Sequence, residues 1–181
     1  MALKATIFKT ELQVSDLDRH HYETYNLTVA KHPSETDERM MIRLLAFALF
    51  ADENLSFTRG LSTDSEPELW KISPSGEIEL WVELGMPDEK RIRKACGKAD
   101  QVVIVSYGEN KAEPWWQKNS EALNRCRNLS VLYIPLSSGG DLAAMVNRTM
   151  QLQFTIDDGQ VWIISEGDTI DIIPATWKEV G

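Results

Sequence analysis

The sequence has few of the residues that hold small secreted or metal-dependent folds together. Its 181 residues include 2 cysteines and 3 histidines. Cys96 and Cys126 lack the short spacing of zinc ligands, and each lies in a stretch with helical periodicity. A chain of this length buries about 70% of its unfolded surface and therefore needs no disulfide or structural metal to fold. We expect a reduced protein located in the cytoplasm.

Long apolar runs and an excess of positive charge are also missing. The longest apolar run, residues 44–51, is far shorter than the ~18 residues that a membrane span requires. The amino terminus alternates charged and apolar residues, which is not typical of a secretory signal. The formal net charge of −9 argues against a nucleic-acid coat protein, although a local basic stripe could still bind phosphate. We expect no membrane partner, and a monomer is the default oligomeric state.

Hydrophobic periodicity predicts a mixed α/β fold with a hairpin at each end. Alternating residues at 3–14 and 20–30 predict an amino-terminal β-hairpin. Residues 157–159, Asp-Asp-Gly, predict the turn of a carboxy-terminal β-hairpin. A mostly buried helix is predicted over residues 34–52, with Ser34 as its N-cap.

The middle of the chain alternates strands and helices. The predicted elements are strands 67–72 and 77–84, helix 88–99, strand 101–107, helix 114–127, strand 130–136 and a helix at 141–150. A strand, a helix and a buried strand in succession form a parallel crossover, so the sheet is predicted to be mixed. The tail, residues 169–180, predicts one last strand. No linker or repeat indicates a second domain, so residues 1–181 are expected to form a single domain.

The hairpin at 67–84 carries an acidic face. A tight turn in its middle would place Glu66 opposite Glu83 and Glu68 opposite Trp81. Side chains alternate along a strand, so these four residues share one face. Glu68 and Glu83 become diagonal neighbours with Cβ atoms roughly 7–8 Å apart, close enough to hold one cation together. Without a cation they repel each other, so this face indicates either a metal site or a solvated surface.

Glu38 is a third carboxylate that could join this pair. It falls on the apolar stripe of the predicted buried helix, close to the first turn. A carboxylate in such a position needs a partner. That partner is a metal shared with Glu68 and Glu83, a local cation (Arg39 or Arg43), or a backbone amide.

The predicted helix that follows Glu83 is strongly basic. Its apolar residues fall at helical spacing and form a packed face, which leaves the charges on the other faces. The cations are Lys90, Arg91, Arg93, Lys94 and Lys98. Lys90 and Lys94 share one edge of the helix, so a phosphate near the end of the Glu83 strand could meet either of them.

Carboxylates and lysines in this arrangement suit phosphodiester chemistry. Two or three carboxylates hold Mg²⁺ through hard oxygen ligands. The metal polarises the scissile phosphate and makes a bound water more acidic. A nearby lysine or arginine stabilises the charge that develops on the phosphate.

The acidic residues resemble the PD-(D/E)XK nuclease signature. Pro67-Glu68 and Glu83-Leu84-Gly85 follow its order on neighbouring strands, with Glu38 on a preceding helix. More specifically, the chain resembles the YaeQ family of small bacterial proteins over essentially its whole length. The stretches that carry this resemblance are HPSETDERMMIRLLAFAL (32–49), GLSTDSEPELW (60–70), ELWVELGMPDEKRIRKA (79–95) and VVIVSYG (102–108).

The resemblance implies a restriction-endonuclease-like fold, in which helices flank a mixed β-sheet. It also implies that Glu38, Glu68 and Glu83 are catalytic residues and ligands of Mg²⁺ or Mn²⁺. The sequence departs from the motif at Gly85, where the motif has a lysine. Lys90 is the candidate for a catalytic lysine that has migrated to the next helix.

Arg91 and Lys94 are then the candidates to bind the phosphate. The leading hypothesis is Mg²⁺-dependent hydrolysis of phosphodiester bonds in nucleic acid. The alternative is a non-catalytic module that binds nucleic acid or another protein on the same fold, because loss of the motif lysine usually accompanies loss of catalysis in that superfamily.

Overall fold

The computed structural model describes residues 4–58, 66–136 and 141–181, which form two compact units. The first unit contains residues 4–51 and 141–173, and the second contains residues 52–58, 66–136 and 174–181. Each unit has one mixed β-sheet with few helices. The mixed α/β class predicted from the sequence is therefore confirmed. Residues 60–65, which belong to one of the stretches that carry the family resemblance, lie outside the described residues.

The elements are numbered along the chain. They are β1 (Thr6–Asp16), β2 (His21–Lys31), α1 (Asp37–Leu49), β3 (Leu55–Phe57), β4 (Leu69–Ile72), β5 (Ile78–Leu84), α2 (Glu89–Lys98), β6 (Ala99–Tyr107), α3 (Ala112–Leu123), β7 (Leu129–Ile134), α4 (Asp141–Ala144), β8 (Thr149–Asp157), β9 (Gln160–Ser165), β10 (Asp168–Ile172) and β11 (Ala175–Lys178). Within the described ranges, no helix is both long and apolar enough to cross a membrane.

The first unit is built on a five-stranded sheet in the order β10-β9-β8-β1-β2. β1 pairs antiparallel with β2 and parallel with β8, and β8 pairs antiparallel with β9. Along β1, Leu12 and Val14 are buried, whereas Glu11 and Gln13 are exposed. Helix α1 lies against β1 and β8, and its residues 40–48 are all buried. The helix is apolar almost all round, and this composition is typical of a buried helix.

The amino terminus of α1 differs from the prediction. Thr36, not Ser34, is the N-cap, and its hydroxyl accepts a hydrogen bond from the amide of Arg39 at 3.1 Å. The hydroxyl of Ser34 instead lies 2.7 Å from Nδ1 of His32. Thr36 comes immediately before the first helical residue, and only from that position does a side chain reach the amide of the third one.

Helix α1 also ends earlier than predicted, at Leu49. Arg19 donates from Nη1 to the carbonyl of Ala51 at 3.0 Å and from Nη2 to the carbonyl of Ala48 at 3.4 Å. Its guanidinium is oriented by Asp16, with 2.7 Å between Nε and Oδ2. The carbonyls at the end of the helix thus gain donors, and the cation suits the negative end of the helix dipole.

The second unit has a six-stranded sheet in the order β11-β7-β6-β5-β4-β3. β5, β6 and β7 are parallel, and the pairs on either side of them are antiparallel. Helix α2 connects β5 to β6, as the predicted crossover requires. The core packs Trp81 and Ile92 against Val102, Ile104 and Leu123. Because this core holds the apolar face of α2, the charged residues of the helix lie at the surface.

Two predicted elements in the last third of the chain are different. The helix predicted at 141–150 is only the short α4, because β8 already begins at Thr149. The tail contains two strands rather than one, and β10 joins the first sheet while β11 joins the second. Pro174 lies between these strands and cannot donate a ladder hydrogen bond, which favours a break there.

Candidate functional site

The β4–β5 hairpin has a different register from the predicted one. Trp70 lies opposite Trp81, and their rings meet edge-on with centroids 6.4 Å apart. The predicted pairs, Glu66 with Glu83 and Glu68 with Trp81, are therefore wrong by two residues.

Extra residues on the β5 side cause this shift. In the turn, the amide of Gly76 donates to the carbonyl of Ser73, and the amide of Ser73 donates to the carbonyl of Glu77, both at 2.9 Å. Gly76 has a φ of +90°, as glycine in the bulge of such a turn does. The register shifts again between Lys71 and Ile72. Because the total shift is two residues, each side chain keeps the face that the sequence predicted for it.

Glu68 and Glu83 are neighbours at one edge of the sheet. The amide of Glu68 donates to the carbonyl of Val82 at 3.0 Å, so Glu68 lies beside the last residues of β5. Both glutamates are buried, with 9% and 5% of their surface exposed. The pair that the sequence predicted to converge is thus held close in the fold, although through a different register.

The carboxylate of Glu83 is bound by two side chains of its own unit. Nε of Arg91 donates to both of its oxygens, at 2.9 and 3.0 Å, and Nη2 lies 2.9 Å from Oε1. The indole Nε1 of Trp81 donates to the same Oε1 at 2.9 Å. Arg91 also donates from Nη2 to the backbone carbonyl of Glu66 at 2.9 Å. A buried carboxylate is stable with this many donors, because burial without them would be costly.

The first turn of α2 brings Arg91 to Glu83. Asp88 is the N-cap, and its carboxylate accepts the amide of Arg91 at 2.8 Å. Trp115, in α3, donates from Nε1 to the carbonyl of Pro87 at 2.9 Å. This bond holds the turn that precedes Asp88 in place. Arg91 is the third residue of the helix, so its side chain can reach back over the turn to the end of β5.

Gly85 is the position where the nuclease motif has a lysine. Its φ is +85°, in the left-handed region that glycine tolerates and other residues rarely adopt. Its amide donates to the carbonyl of Val105 at 2.9 Å, which ties this backbone to β6. The fold therefore uses glycine here to turn the chain from β5 toward α2, and a cation reaches Glu83 from the helix instead.

The cations of α2 line a groove beside this pair. Its volume is about 260 Å³, and we call it the α2 groove. The groove is lined by Trp81, Asp88, Lys90, Arg91, Lys94, Ala95 and Lys98. Lys90, Lys94 and Lys98 are exposed, and Nζ of Lys98 lies 5.9 Å from the centre of the Trp81 ring. A second depression, of about 480 Å³, is lined by Glu89, Lys90, Arg93 and Lys94.

Glu38 belongs to the other unit. It lies in the first turn of α1 and is half-buried. Arg39 and Arg43, its predicted local alternatives, both pair with Glu35, at 2.6 and 2.7 Å. Neither that alternative nor the predicted role of Glu38 as a metal ligand receives support from these contacts.

The site fits a divalent metal only in part. Glu68 and Glu83 supply two neighbouring carboxylates, but Arg91 pairs with one of them. In the parts of the chain that the structure describes, no group of three or more His, Cys, Asp and Glu side chains could hold a metal ion. Mg²⁺ or Mn²⁺ as a cofactor therefore stays a prediction.

The ion pair between Arg91 and Glu83 was not predicted. In the sequence, Arg91 was a candidate to bind phosphate. A signal was present. Asp88 is a good N-cap, and this fixes Arg91 as the third helical residue. A long cation at that position, after a short turn from Glu83, is within reach of the carboxylate at the strand end.

Cys96 lies on the packed face of the same helix. Burial raises the pKa of its thiol to about 12, with a further contribution from Cys126. A thiol with so high a pKa carries almost no thiolate at neutral pH. Cys96 packs against the core of its unit, which is the role that the sequence predicted for it.

The family described as YaeQ protein matches residues 1–174. The chain is 46% identical to the "Uncharacterized protein YaeQ" of Escherichia coli (strain K12) over 179 residues, 99% of both chains. The crystal structure of the YaeQ protein from Xanthomonas axonopodis pv. citri matches this chain with a TM-score of 0.93. The two sequences are 45% identical, and the match covers 96% of this chain and 98% of that one. For the crystal structure of the YaeQ protein from Pseudomonas syringae the identity is 32% and the TM-score 0.91, over 97% of each chain. The chain belongs to the YaeQ family.

Proposed function

We propose that the protein binds the phosphate backbone of nucleic acid in the α2 groove. One observation carries the proposal: four cations, Lys90, Arg91, Lys94 and Lys98, line a single cavity. The acidic residue that shares this lining, Asp88, already accepts the amide of Arg91 as the N-cap of α2. A cavity with this balance of charge attracts an anionic ligand.

The charge of the neighbouring carboxylate supports the same function. Glu83 is buried and paired with Arg91, so these two charges offset each other and Lys90, Lys94 and Lys98 supply the surplus positive charge of the groove. The three lysines are exposed and act as mobile point charges, which suits contact with phosphates. The net charge of −9 confines binding to this local surface, because the protein as a whole repels polyanions.

The test is the affinity for a labelled oligonucleotide, measured by fluorescence anisotropy at low salt. The Lys94→Ala/Lys98→Ala variant is expected to raise Kd about tenfold, because it removes two phosphate contacts. Lys118→Ala is the matched control, since Lys118 is exposed on α3 and does not line the groove. Equal losses in both proteins, or no binding of DNA or RNA by the unaltered protein, would contradict the proposal.

A second candidate is Mg²⁺-dependent hydrolysis of the bound strand. The specific observation that favours it is the position of Glu68 beside the end of β5, next to Glu83. The order α1, β3, β4, β5, α2, β6 along the chain also supports a restriction-endonuclease-like relationship. In this function, Glu68 and Glu83 would hold the metal, and Lys90 or Arg91 would supply the cation that Gly85 does not.

Hydrolysis is tested with single- and double-stranded DNA and RNA in the presence of Mg²⁺ or Mn²⁺. Activity that disappears in Glu83→Ala and Glu68→Ala is expected if these carboxylates are catalytic. Titration of Mg²⁺ into the protein by calorimetry tests the ligands separately from turnover. Binding without cleavage under every condition would leave the first function and remove the second.

A further inference from the structure

The lysines of the α2 groove form one row that winds slightly around the helix. Lys90, Lys94 and Lys98 are four residues apart on the same helix, and residues at that spacing lie above one another along one face. With a rise of about 1.5 Å per residue, the row spans about 12 Å. Phosphates of a stacked strand follow each other at about 3.4 Å along its helix axis, so the row matches a segment of about four nucleotides of a strand that stays stacked.

The groove offers little that could distinguish one base from another. Among the described residues that line it, none is an asparagine or glutamine, the residues that read adenine edges. Arg91 has the forked group that reads guanine, but Glu83 and the carbonyl of Glu66 hold it. Trp81 is 2% exposed, so its ring forms the floor of the groove and is not open for stacking with a base.

The charge of the molecule separates a single strand from a duplex. A duplex carries one charge per about 1.7 Å of axis, twice the density of one of its strands. A single row of lysines contacts one backbone, and the second strand of a duplex adds negative charge that meets none of these lysines, on a protein whose net charge is already −9. Repulsion therefore penalises the duplex more than the single strand.

We infer that the α2 groove takes the backbone of single-stranded nucleic acid over about four nucleotides, without regard to base sequence. This inference rests on the proposed function, and it specifies the ligand of that same site.

A length series of thymidine oligonucleotides, from about two to about twelve residues, tests the size of the segment. Affinity per binding position is expected to rise up to about four nucleotides and then level off. The logarithm of the binding constant should fall with the logarithm of the salt concentration with a slope of about −2, because three lysines neutralise about 0.7 charge each. In Lys98→Ala the slope should fall by about 0.7 and the plateau should move to a shorter length.

Two further comparisons test the class of ligand. Oligonucleotides of thymidine, adenosine and cytidine with equal length should bind within about threefold of one another, and a duplex should bind several-fold more weakly than either of its strands. A duplex that binds more tightly than its strands, or a strong preference for one base, overturns the inference while nucleic-acid binding in the groove stands. Binding that is unchanged in Lys94→Ala/Lys98→Ala overturns the proposed function itself.

Discussion

Glu35 and Glu83 are buried glutamates that each pair with arginine near the start of a helix, but the surroundings of the two pairs differ. Glu35 accepts hydrogen bonds from Arg39 at 2.6 Å and Arg43 at 2.7 Å near the start of α1. Glu83 pairs with Arg91 at 2.9 Å at the start of α2. The side chain of Arg43 is only 8% exposed, whereas that of Arg91 is 25% exposed and lines the α2 groove.

The comparison shows that an arginine–glutamate pair is not in itself a sign of function. A buried pair usually gives little net stability, because desolvation of both charges offsets their attraction. The pair at Glu35 is closed, meaning that the side chains of Glu35 and Arg43 are both shielded from solvent. Arg43 also donates to the carbonyl of Ala30 at 2.9 Å. The pair at Glu83 is open to a groove that has additional cations. Access and surplus charge therefore distinguish the candidate site from the structural pair.

The largest effect is expected from Glu35→Ala. Removal of Glu35 leaves two arginines without their carboxylate, one of them buried, and we expect a loss of about 3–5 kcal/mol in the free energy of unfolding. Urea denaturation followed by circular dichroism measures it. Glu38→Ala, in the first turn of α1, is the control, with an expected loss of at most about 1 kcal/mol from the helix dipole. Equal losses in both variants would show that the Glu35 pair is not a closed structural pair.

A smaller effect on stability is expected from Glu83→Gln. The amide keeps an oxygen for the indole N–H of Trp81 but loses the charge that pairs with Arg91. We expect a loss of about 1.5–3 kcal/mol, which is typical of a hydrogen bond to a charged group. Glu89→Gln is the stability control, because Glu89 pairs with Arg93 at the surface and such pairs contribute about 0–1 kcal/mol.

The same variant tests whether the Glu83 pair is open. The groove gains one unit of net positive charge when Glu83 loses its charge. One unit of charge is worth about 0.6 kcal/mol at about 7 Å in water, so oligonucleotide affinity should rise about threefold. A fall in affinity would show instead that Glu83 itself takes part in ligand binding, as the hydrolytic candidate requires.

Local patterns predicted the parts of this site that depend on neighbouring residues. The apolar periodicity around Ile92 and Ala95 fixed the buried face of α2, and both residues are buried. The same periodicity placed Lys90 and Lys94 on one edge, where both line the α2 groove. Such features follow from the geometry of a single helix and need no information about the rest of the fold.

Features that depend on how separate segments of the chain pair with one another could not be predicted. The register of β4 and β5 depends on a bulge at Gly76 and on a shift after Lys71, and periodicity is the same before and after a shift of two residues. The parallel pairing of β1 with β8 joins strands that are far apart in the chain. The N-cap at Asp88 brings Arg91 within reach of the end of β5, but the carboxylate that Arg91 binds depends on the orientation of α2, which the packing of the core determines.

The smallest effect on the free energy of unfolding is expected when lysine replaces either of two glycines, and the two substitutions should act in opposite directions. Gly85 has a φ of +85°, and Gly97 is an exposed glycine within α2; a Cβ added at either position would meet no other atom within 4 Å. Gly85→Lys is expected to cost about 1–2 kcal/mol, because the left-handed conformation is strained for any residue with a Cβ. Gly97→Lys is expected to stabilise the helix by about 0.5–1 kcal/mol, because lysine is a better helix former than glycine.

Thermal unfolding of the two variants measures this difference. A clash between the new Cβ and neighbouring residues does not contribute to it, because a Cβ at either position has no other atom within 4 Å. A loss only at Gly85 means that the backbone turn from β5 to α2 excludes the motif lysine at that position. The cation beside Glu83 must then come from the helix, and the open pair with Arg91 is a consequence of the turn. If Gly85→Lys is as stable as the unaltered protein, the chain can turn without glycine. Lysine at position 85 would then compete with Arg91 for Glu83, and Arg91 would be released into the α2 groove with a gain in oligonucleotide affinity.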